Sequence, residues 1–308
     1  MNLKKPKFWD YKKPNIYSYL FLPITYLIRL LNLYKKIYQP KKFKIKTICV
    51  GNIYVGGTGK TSLSIKLNEI LSKKKLKSCF VKKFYKDQTD EQELLKNNGK
   101  LFISSSRVDA IKQAEKEEYD IAILDDGLQD NSIKYDLVFV CFNNINWIGN
   151  GMTIPSGPLR ENIKNLVNYK NIFLNGNLEN SDNLIKEILK INSKAIIHLG
   201  KYVPTNLDEF DTSEKYLIFS GIGNHQTFVS MLKNYGLNIL KDIEFSDHYN
   251  YTNKDINGIL KEAKKLNCKI ITTEKDYLRI ATMNLSEIKF IKSDLKIIEQ
   301  DKLIRSLI

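Results

Sequence analysis

The chain has 308 residues, 43% of them hydrophobic, with 49 Lys or Arg against 34 Asp or Glu and a net charge of +15. That length allows two domains and a sizeable core. Four widely spaced cysteines, Cys49, Cys79, Cys141 and Cys268, exclude a disulfide framework or a metal cluster and read as small core residues in a reducing compartment.

The positive charge sits at one end. Residues 1–46 hold twelve Lys or Arg (Lys4, Lys5, Lys7, Lys12, Lys13, Arg29, Lys35, Lys36, Lys41, Lys42, Lys44, Lys46) and one acid, Asp10, a net +11, so the other 262 residues carry +4. A nucleic-acid-dependent ATPase disperses basic and aromatic side chains along a groove of its folded body, so this distribution argues against nucleic acid as the partner. Pro14 to Ile28 is an uncharged run of fifteen residues rich in Tyr, Leu and Ile. A helix needs roughly 20 apolar residues to cross a bilayer, and Pro23 interrupts a continuous span. Leu20, Ile24, Leu27 and Leu31 recur at helical spacing on one face. Tyr17, Tyr19, Tyr26 and Tyr34, with Lys12, Lys13, Arg29, Lys35 and Lys36, suit a headgroup layer. Such a helix lies in the membrane interface, and each basic group near an anionic leaflet adds about 1 kcal/mol. The alternative is an amphipathic helix packed on the body of the protein. The apolar run begins too far in, and lacks a small-residue cleavage site, for a cleavable signal. The expectation is a peripheral protein on the cytoplasmic side of a membrane, with residues 1–40 as its membrane-association segment.

Next comes a short apolar strand, Ile45–Val50, a glycine-rich turn containing Gly56, Gly57, Thr58 and Gly59, then Lys60-Thr61 and a helical pattern from Leu63 to Leu71. Strand, glycine loop, Lys-Thr and helix is the arrangement that holds a nucleoside triphosphate, with loop amides and the helix N-terminus on the β-phosphate. Lys60 would neutralise the β/γ-phosphates and the Thr61 hydroxyl would ligate Mg²⁺. The strict pattern wants a glycine five residues before Gly59, where this chain has Tyr54. A plain glycine turn with a surface lysine is the alternative, and the flanking strand and helix favour phosphate binding.

Further strands are expected at Ser78–Val81, Leu101–Ser104, Ile121–Leu124, Leu137–Phe142, Asn171–Leu174 and Ala195–Leu199, with helices at Arg107–Lys116 and Leu184–Lys190. This alternation implies an α/β fold with a mostly parallel sheet covered on both faces, a P-loop domain over 41–205. The strand at Ile121 ends in Asp125-Asp126-Gly127. Carboxylates there can hold Mg²⁺ directly or through water, although Asp-Gly is also a common turn. A second, smaller α/β domain is expected over 206–308, with strands at Tyr216–Ser220, Ile239–Phe245 and Cys268–Thr273 and helices at Gln226–Asn234 and Thr252–Leu266.

Four further segments, Asp125-Asp-Gly-Leu-Gln129, Gly149-Asn-Gly-Met-Thr-Ile-Pro-Ser-Gly-Pro-Leu-Arg-Glu161, Phe245-Ser-Asp-His248 and Thr273-Glu-Lys-Asp276, follow the loop Val50–Thr61 in order. Together they resemble the tetraacyldisaccharide 4′-kinase (lipid A 4′-kinase) family over nearly the whole chain. The resemblance implies transfer of the ATP γ-phosphate to the 4′-hydroxyl of a membrane-embedded tetraacylated glucosamine disaccharide, giving lipid IV-A at the cytoplasmic face of the inner membrane. It also implies a catalytic aspartate at Asp90, in Thr89-Asp90-Glu91 where related chains read Gly-Asp-Glu-Pro, and a supporting histidine at His248 on the second domain, across an active-site cleft that this domain completes.

By composition alone Asp90 is a solvated acid in a polar loop, and His248 could anchor a turn. His198 reads as a core or edge-strand histidine, and His225 is left open. Arg160 and Glu161 form a structural ion pair, or Arg160 meets a phosphate or a sugar. Relatives carry Ser-Arg-Gly-Tyr-Gly after the second strand, where this chain has Val81-Lys-Lys-Phe-Tyr-Lys86 and a shorter loop; Asp130 stands where they usually have His, and Tyr277 replaces a small residue. The competing reading is a membrane-associated P-loop ATPase acting as a switch or positioning factor, with no dependence on Asp90 and His248.

Overall fold

The computed structural model describes residues 5–34, 39–85, 89–283 and 286–307. Lys4, Lys35, Lys36 and Lys86, counted in the basic stretches above, lie outside the described residues, and so does the side chain of Tyr34. In chain order the first elements are α1 (Ile16–Leu20), α2 (Leu22–Tyr34), β1 (Lys46–Gly51), α3 (Lys60–Lys73), β2 (Ser78–Lys83), α4 (Thr89–Asn97), β3 (Leu101–Ser104), α5 (Arg107–Lys116), β4 (Ile121–Asp125), β5 (Leu137–Asn143), β6 (Asn171–Gly176), α6 (Ser181–Ile191) and β7 (Ile196–Pro204). They are followed by β8 (Lys215–Ser220), α7 (His225–Asn234), β9 (Asn238–Glu244), α8 (Asn253–Leu266), β10 (Lys269–Thr273), α9 (Glu274–Arg279), β11 (Ile288–Ile291), β12 (Ser293–Ile298) and α10 (Gln300–Leu307).

Two compact units result, Met1–Gly200 with Ile297–Ile308, and Lys201–Lys296. The first is built on a sheet of order β12-β7-β6-β5-β1-β4-β2-β3. The pairings β3–β2, β2–β4, β4–β1, β1–β5 and β5–β6 are all parallel. β4 is buried along its whole length, as expected of a parallel strand covered on both faces. Alternation along β2 assigns the covers: Cys79 and Val81 join Ala110, Ile111 and Ala114 of α5 in one cluster. Phe80 and Lys82 therefore point to the opposite face, where α3 lies. β1 is flanked by β4 and β5, and the chain leaves β1 toward β2 and later crosses back to β5. This reversal puts the ligand crevice at the carboxyl ends of β1 and β4.

The second unit holds a parallel sheet of order β11-β10-β8-β9. Tyr216, Ile218 and Ile271 pack against Phe228, Val229 and Leu232 of α7. The alternate residues Leu217, Phe219 and Ile270 pack against Ile256, Ile259 and Ala263 of α8. Thr252 and Asp255 close a capping box at the start of α8, which stabilises its N-terminus.

Three differences from the sequence expectations have local causes. The helix after the glycine loop begins at Lys60, not Leu63, because its first turn is polar and faces the crevice. Asp90 lies in the first turn of α4 rather than in a loop; Leu95, fully buried, anchors that helix. After Thr273, where the spacing yields no assignment, α9, β11, β12 and α10 are added.

The amino-terminal helices face the opposite way from an ordinary surface helix. Asn15 caps α1 in a capping box with Ser18, and the helix ends at Leu20, so Pro23 falls in the first turn of α2, where its missing N–H breaks no helix bond. The buried positions are polar: Asn150 Nδ2 donates to Ser18 Oγ at 2.9 Å, and the Thr25 and Ser156 hydroxyls are 2.8 Å apart. The apolar positions face out, with Leu20 70%, Ile24 47%, Leu27 57% and Leu31 56% exposed. No helix among the described residues is long and apolar enough to cross a membrane.

Candidate active site

The phosphate loop is shaped by the chain's own amides and side chains. Gly59 is the N-cap of α3 with φ +75°, a left-handed conformation that favours glycine, and no side chain caps the helix there. Asn52 Nδ2 reaches across the loop to Tyr54 O (2.6 Å), Gly56 O (3.3 Å) and Thr58 Oγ1 (2.9 Å). Asn175 Nδ2 donates to Thr58 O at 2.7 Å, and Gln129 Nε2 to Asn52 O at 2.9 Å. Gly56, Gly57, Thr58 and Gly59 are thus held as a fixed turn before the helix N-terminus, the geometry that receives a phosphate group.

Asp125 and Asp126, adjacent in sequence, have different partners. Asp125 is fully buried; Oδ2 accepts from Thr61 Oγ1 at 3.3 Å and Oδ1 from Ser64 Oγ at 3.3 Å. The Lys82 ammonium is 2.7 Å from Asp125 Oδ2 and 2.5 Å from Glu91 Oε2. Burial works against a charged lysine, and these two carboxylates more than offset it, so the ammonium is held more firmly than an ordinary lysine. Asp126 turns away with φ +56°. Its Oδ1 lies 2.8 Å from Arg160 Nη1 and 3.8 Å from Lys60 Nζ. Burial would raise its pKa, but Lys60 and Arg160 outweigh burial and lower it to about 2.

Thr61 and Asp125 fit a magnesium ion. Two oxygens on adjacent corners of an octahedron with bonds of about 2.1 Å lie roughly 3 Å apart, close to the 3.3 Å observed. A hydroxyl and a carboxylate are hard oxygen donors suited to that ion. The neighbouring Asp126 is paired with Lys60 and Arg160. Among the described residues there is no cluster of three His, Cys, Asp or Glu that could hold a metal ion by itself.

Arg160 does not pair with Glu161. It bonds Asp126 and Gln129 Oε1 (2.8 Å), while Glu161 accepts from Asn165 and Tyr169. The segment 149–161 braces the loop: Val55 N donates to Pro158 O at 2.9 Å and Arg160 N to Ile53 O at 2.6 Å. Asp130 is paired with the buried Arg107 at 3.3 Å, and Arg107 also donates to Asp126 O at 2.7 Å, fixing the acidic turn from behind.

In the second unit His248 has φ +55°, and its N–H donates to Gly221 O at 3.1 Å. Its Nδ1 lies 3.4 Å from Arg279 Nη2. Because a guanidinium only donates, Nδ1 is the acceptor and Nε2 carries the proton. Arg279 is in turn held by the fully buried Asp276 at 2.8 Å, whose carboxylate also accepts from Gly221 N and Thr273 Oγ1. The Thr273–Asp276 motif is therefore the foundation of the His248 turn. Asp90 belongs to the first unit and His248 to the second.

The sequence model of the tetraacyldisaccharide-1-P 4′-kinase family (LpxK) matches residues 16–308. The chain is 56% identical to a tetraacyldisaccharide 4′-kinase of Pelagibacter ubique over all of its own length and 98% of the relative's. It belongs to this family. A tetraacyldisaccharide 4′-kinase of Rickettsia akari is 34% identical over 92% of this chain and 90% of its own. The crystal structure of LpxK from Aquifex aeolicus in complex with ATP superposes with a TM-score of 0.65 at 21% identity, covering 94% of this chain and 98% of that one; this likeness shows that the fold is shared.

For a member of the tetraacyldisaccharide 4′-kinase family, two residues acquire a place that sequence reasoning did not give them. Lys82 was visible only as part of a basic stretch, although a lysine on the α3-facing side of a buried strand is itself a signal. Arg279 lay beyond the last motif. The remaining two histidines are buried. His198 is buried in β7 beside Asn171, and burial together with Lys302 lowers its pKa to about 4. His225 is buried at the start of α7, with Nδ1 2.7 Å from Ser220 Oγ, and burial keeps it neutral against the pull of Glu244 and Asp242.

Proposed function

We propose that the chain transfers the γ-phosphate of ATP to the 4′-hydroxyl of a tetraacylated glucosamine disaccharide 1-phosphate, a lipid A precursor, to give lipid IV-A. The observation that carries this reading is the meeting of Lys60 and Thr61 with Asp125 and Asp126 at the carboxyl ends of β1 and β4, in a chain of this family. Lys60 and the loop amides hold the β- and γ-phosphates. Thr61 and Asp125 hold Mg²⁺, which when bound neutralises charge on the phosphates. Asp126 orients Lys60 and Arg160. The 4′-oxygen attacks the γ-phosphorus, the bond to the β–γ bridging oxygen breaks, and ADP departs. The hydroxyl proton would pass to the Asp90 carboxylate as general base, and His248 carries the supporting role that the family resemblance implies.

The enzyme meets this substrate at the cytoplasmic face of the inner membrane, without crossing it. A tetraacylated lipid cannot leave the bilayer cheaply, at ~0.8 kcal/mol per CH₂. The outward apolar side chains of α1 and α2, amid the basic residues of 1–46, suit insertion into an anionic leaflet. The switch-ATPase reading offers no role for an acceptor lipid and is the less favoured.

The test is transfer from ³²P-labelled ATP to the tetraacylated disaccharide 1-phosphate in mixed micelles, with Lys60→Ala, Asp90→Ala and His248→Ala beside wild type. Labelled lipid, lost with Lys60→Ala and Asp90→Ala and depressed with His248→Ala, is the expected result. ATP hydrolysis without labelled lipid would overturn the acceptor assignment.

A further inference from the structure

We infer that Lys82 is a positioning residue: its buried ammonium ties Asp125, at the end of β4, to Glu91 in the first turn of α4, and so sets the place of Asp90 one residue before. The inference rests on the reading of Asp90 as the base.

Lys82 sits one residue from the end of β2, on the α3-facing side, and is 1% exposed. Its aliphatic stem is enclosed, so the ammonium cannot swing to solvent. Two of its three donors are committed, to Asp125 at 2.7 Å and Glu91 at 2.5 Å. Asp125 cannot yield, because it is fully buried in β4 and also engaged by Thr61 and Ser64. Glu91 is the less enclosed partner. It is 22% exposed and lies at the end of α4 nearest the crevice. Gln92, the next residue, donates from Nε2 to Tyr85 O at 2.8 Å, and Leu95 is buried in the core. Without the ammonium, two carboxylates that now share it would face each other in a poorly solvated site and repel. Glu91 would turn outward and take the first turn of α4, with Asp90, along. A displacement of about 1 Å at a reacting group can cost on the order of a hundredfold in rate.

Lys82→Met, Glu91→Gln and the double variant are compared as full-length protein by amide hydrogen exchange and by lipid phosphorylation. Each single variant is expected to speed exchange in the α4 amides of the nucleotide-free protein about tenfold or more, with α5 unchanged. Each should lower kcat about tenfold or more, and for Glu91→Gln, which leaves the Lys82–Asp125 pair in place, KM for ATP should stay within about threefold. Because both act through one contact, the double variant should be no worse than the more damaged single one. Unchanged α4 exchange in both single variants, or losses that multiply in the double, overturns the proposal. Should Lys82→Met fail to fold, Glu91→Gln decides by the same readouts, since it leaves the Lys82–Asp125 pair in place. Asp90→Ala with wild-type kcat would instead remove the base assignment, and the exchange result would still decide the clamp.

Discussion

Arg160→Met separates the charge of the acidic turn from its packing. Methionine keeps most of the aliphatic stem and removes the guanidinium, which contacts Asp126 at 2.8 and 3.5 Å. In the folded protein the Asp126 carboxyl is lowered from 3.8 to about 2, and each unit corresponds to about 1.36 kcal/mol, so the group contributes roughly 2 kcal/mol of stability at neutral pH. Lys60 supplies charge at 3.8 Å, whereas Arg160 supplies both charge and hydrogen bonds. About half of that contribution, or ~1 kcal/mol, should go with Arg160→Met. The sign follows from a depressed carboxylate: the stabilisation is complete above the ordinary aspartate pKa and is lost as pH falls through about 2. Urea unfolding followed by far-UV circular dichroism should therefore give a constant gap between wild type and variant from pH 8 to about pH 5, closing progressively below pH 4. A gap of the same size at about pH 2 and at pH 7 would refute the electrostatic account and leave packing as the cause.

Leu20→Ser with Leu27→Ser should weaken binding to anionic vesicles roughly thirtyfold, since two largely exposed leucines each forfeit ~1 kcal/mol of burial in the headgroup layer; flotation with unchanged partitioning would count against the membrane face. Tyr54→Phe should cost about 1 kcal/mol and speed amide exchange around residues 9–11, because it removes the hydroxyl that donates to Asp10 and accepts from Lys5; exchange identical to wild type would show that the hydroxyl holds nothing.

How far the sequence spoke for the structure depended on the range of the interaction. The strand–loop–helix around Lys60 is local: periodicity, glycines and one Lys-Thr pair announce it within about fifteen residues. Asp125 and Asp126 could be named as a pair, yet their division of labour could not, because it depends on Thr61, Lys82 and Arg160 arriving from 64, 43 and 34 residues away. Arg160 illustrates the same limit. Its neighbour Glu161 offered the obvious ion pair, and the fold gave each a different partner. Lys82 was hidden because a lysine in a short strand is ordinarily an edge or surface residue, and only the alternation fixed by α5 shows that it points inward.

The segment 149–161 joins two tasks that would otherwise be independent. Its Asn150 and Ser156 side chains receive Ser18 and Thr25 of the amino-terminal helices, and Pro155 O accepts from Trp9 Nε1 at 3.0 Å. Gly149 is required there, since a Cβ would meet Trp9 O at 2.1 Å. A few residues on, Pro158 and Arg160 bond the backbone of the phosphate loop at Val55 and Ile53. Tyr54, which occupies the position where a strict phosphate loop has glycine, closes the circuit through Asp10 at 2.7 Å and Lys5 at 2.9 Å. A glycine there could make neither bond. The departure from the strict motif is thus the point at which the loop is fastened to the segment that carries the outward apolar face, so the same hydrogen bonds that seat α1 and α2 also hold the loop in shape.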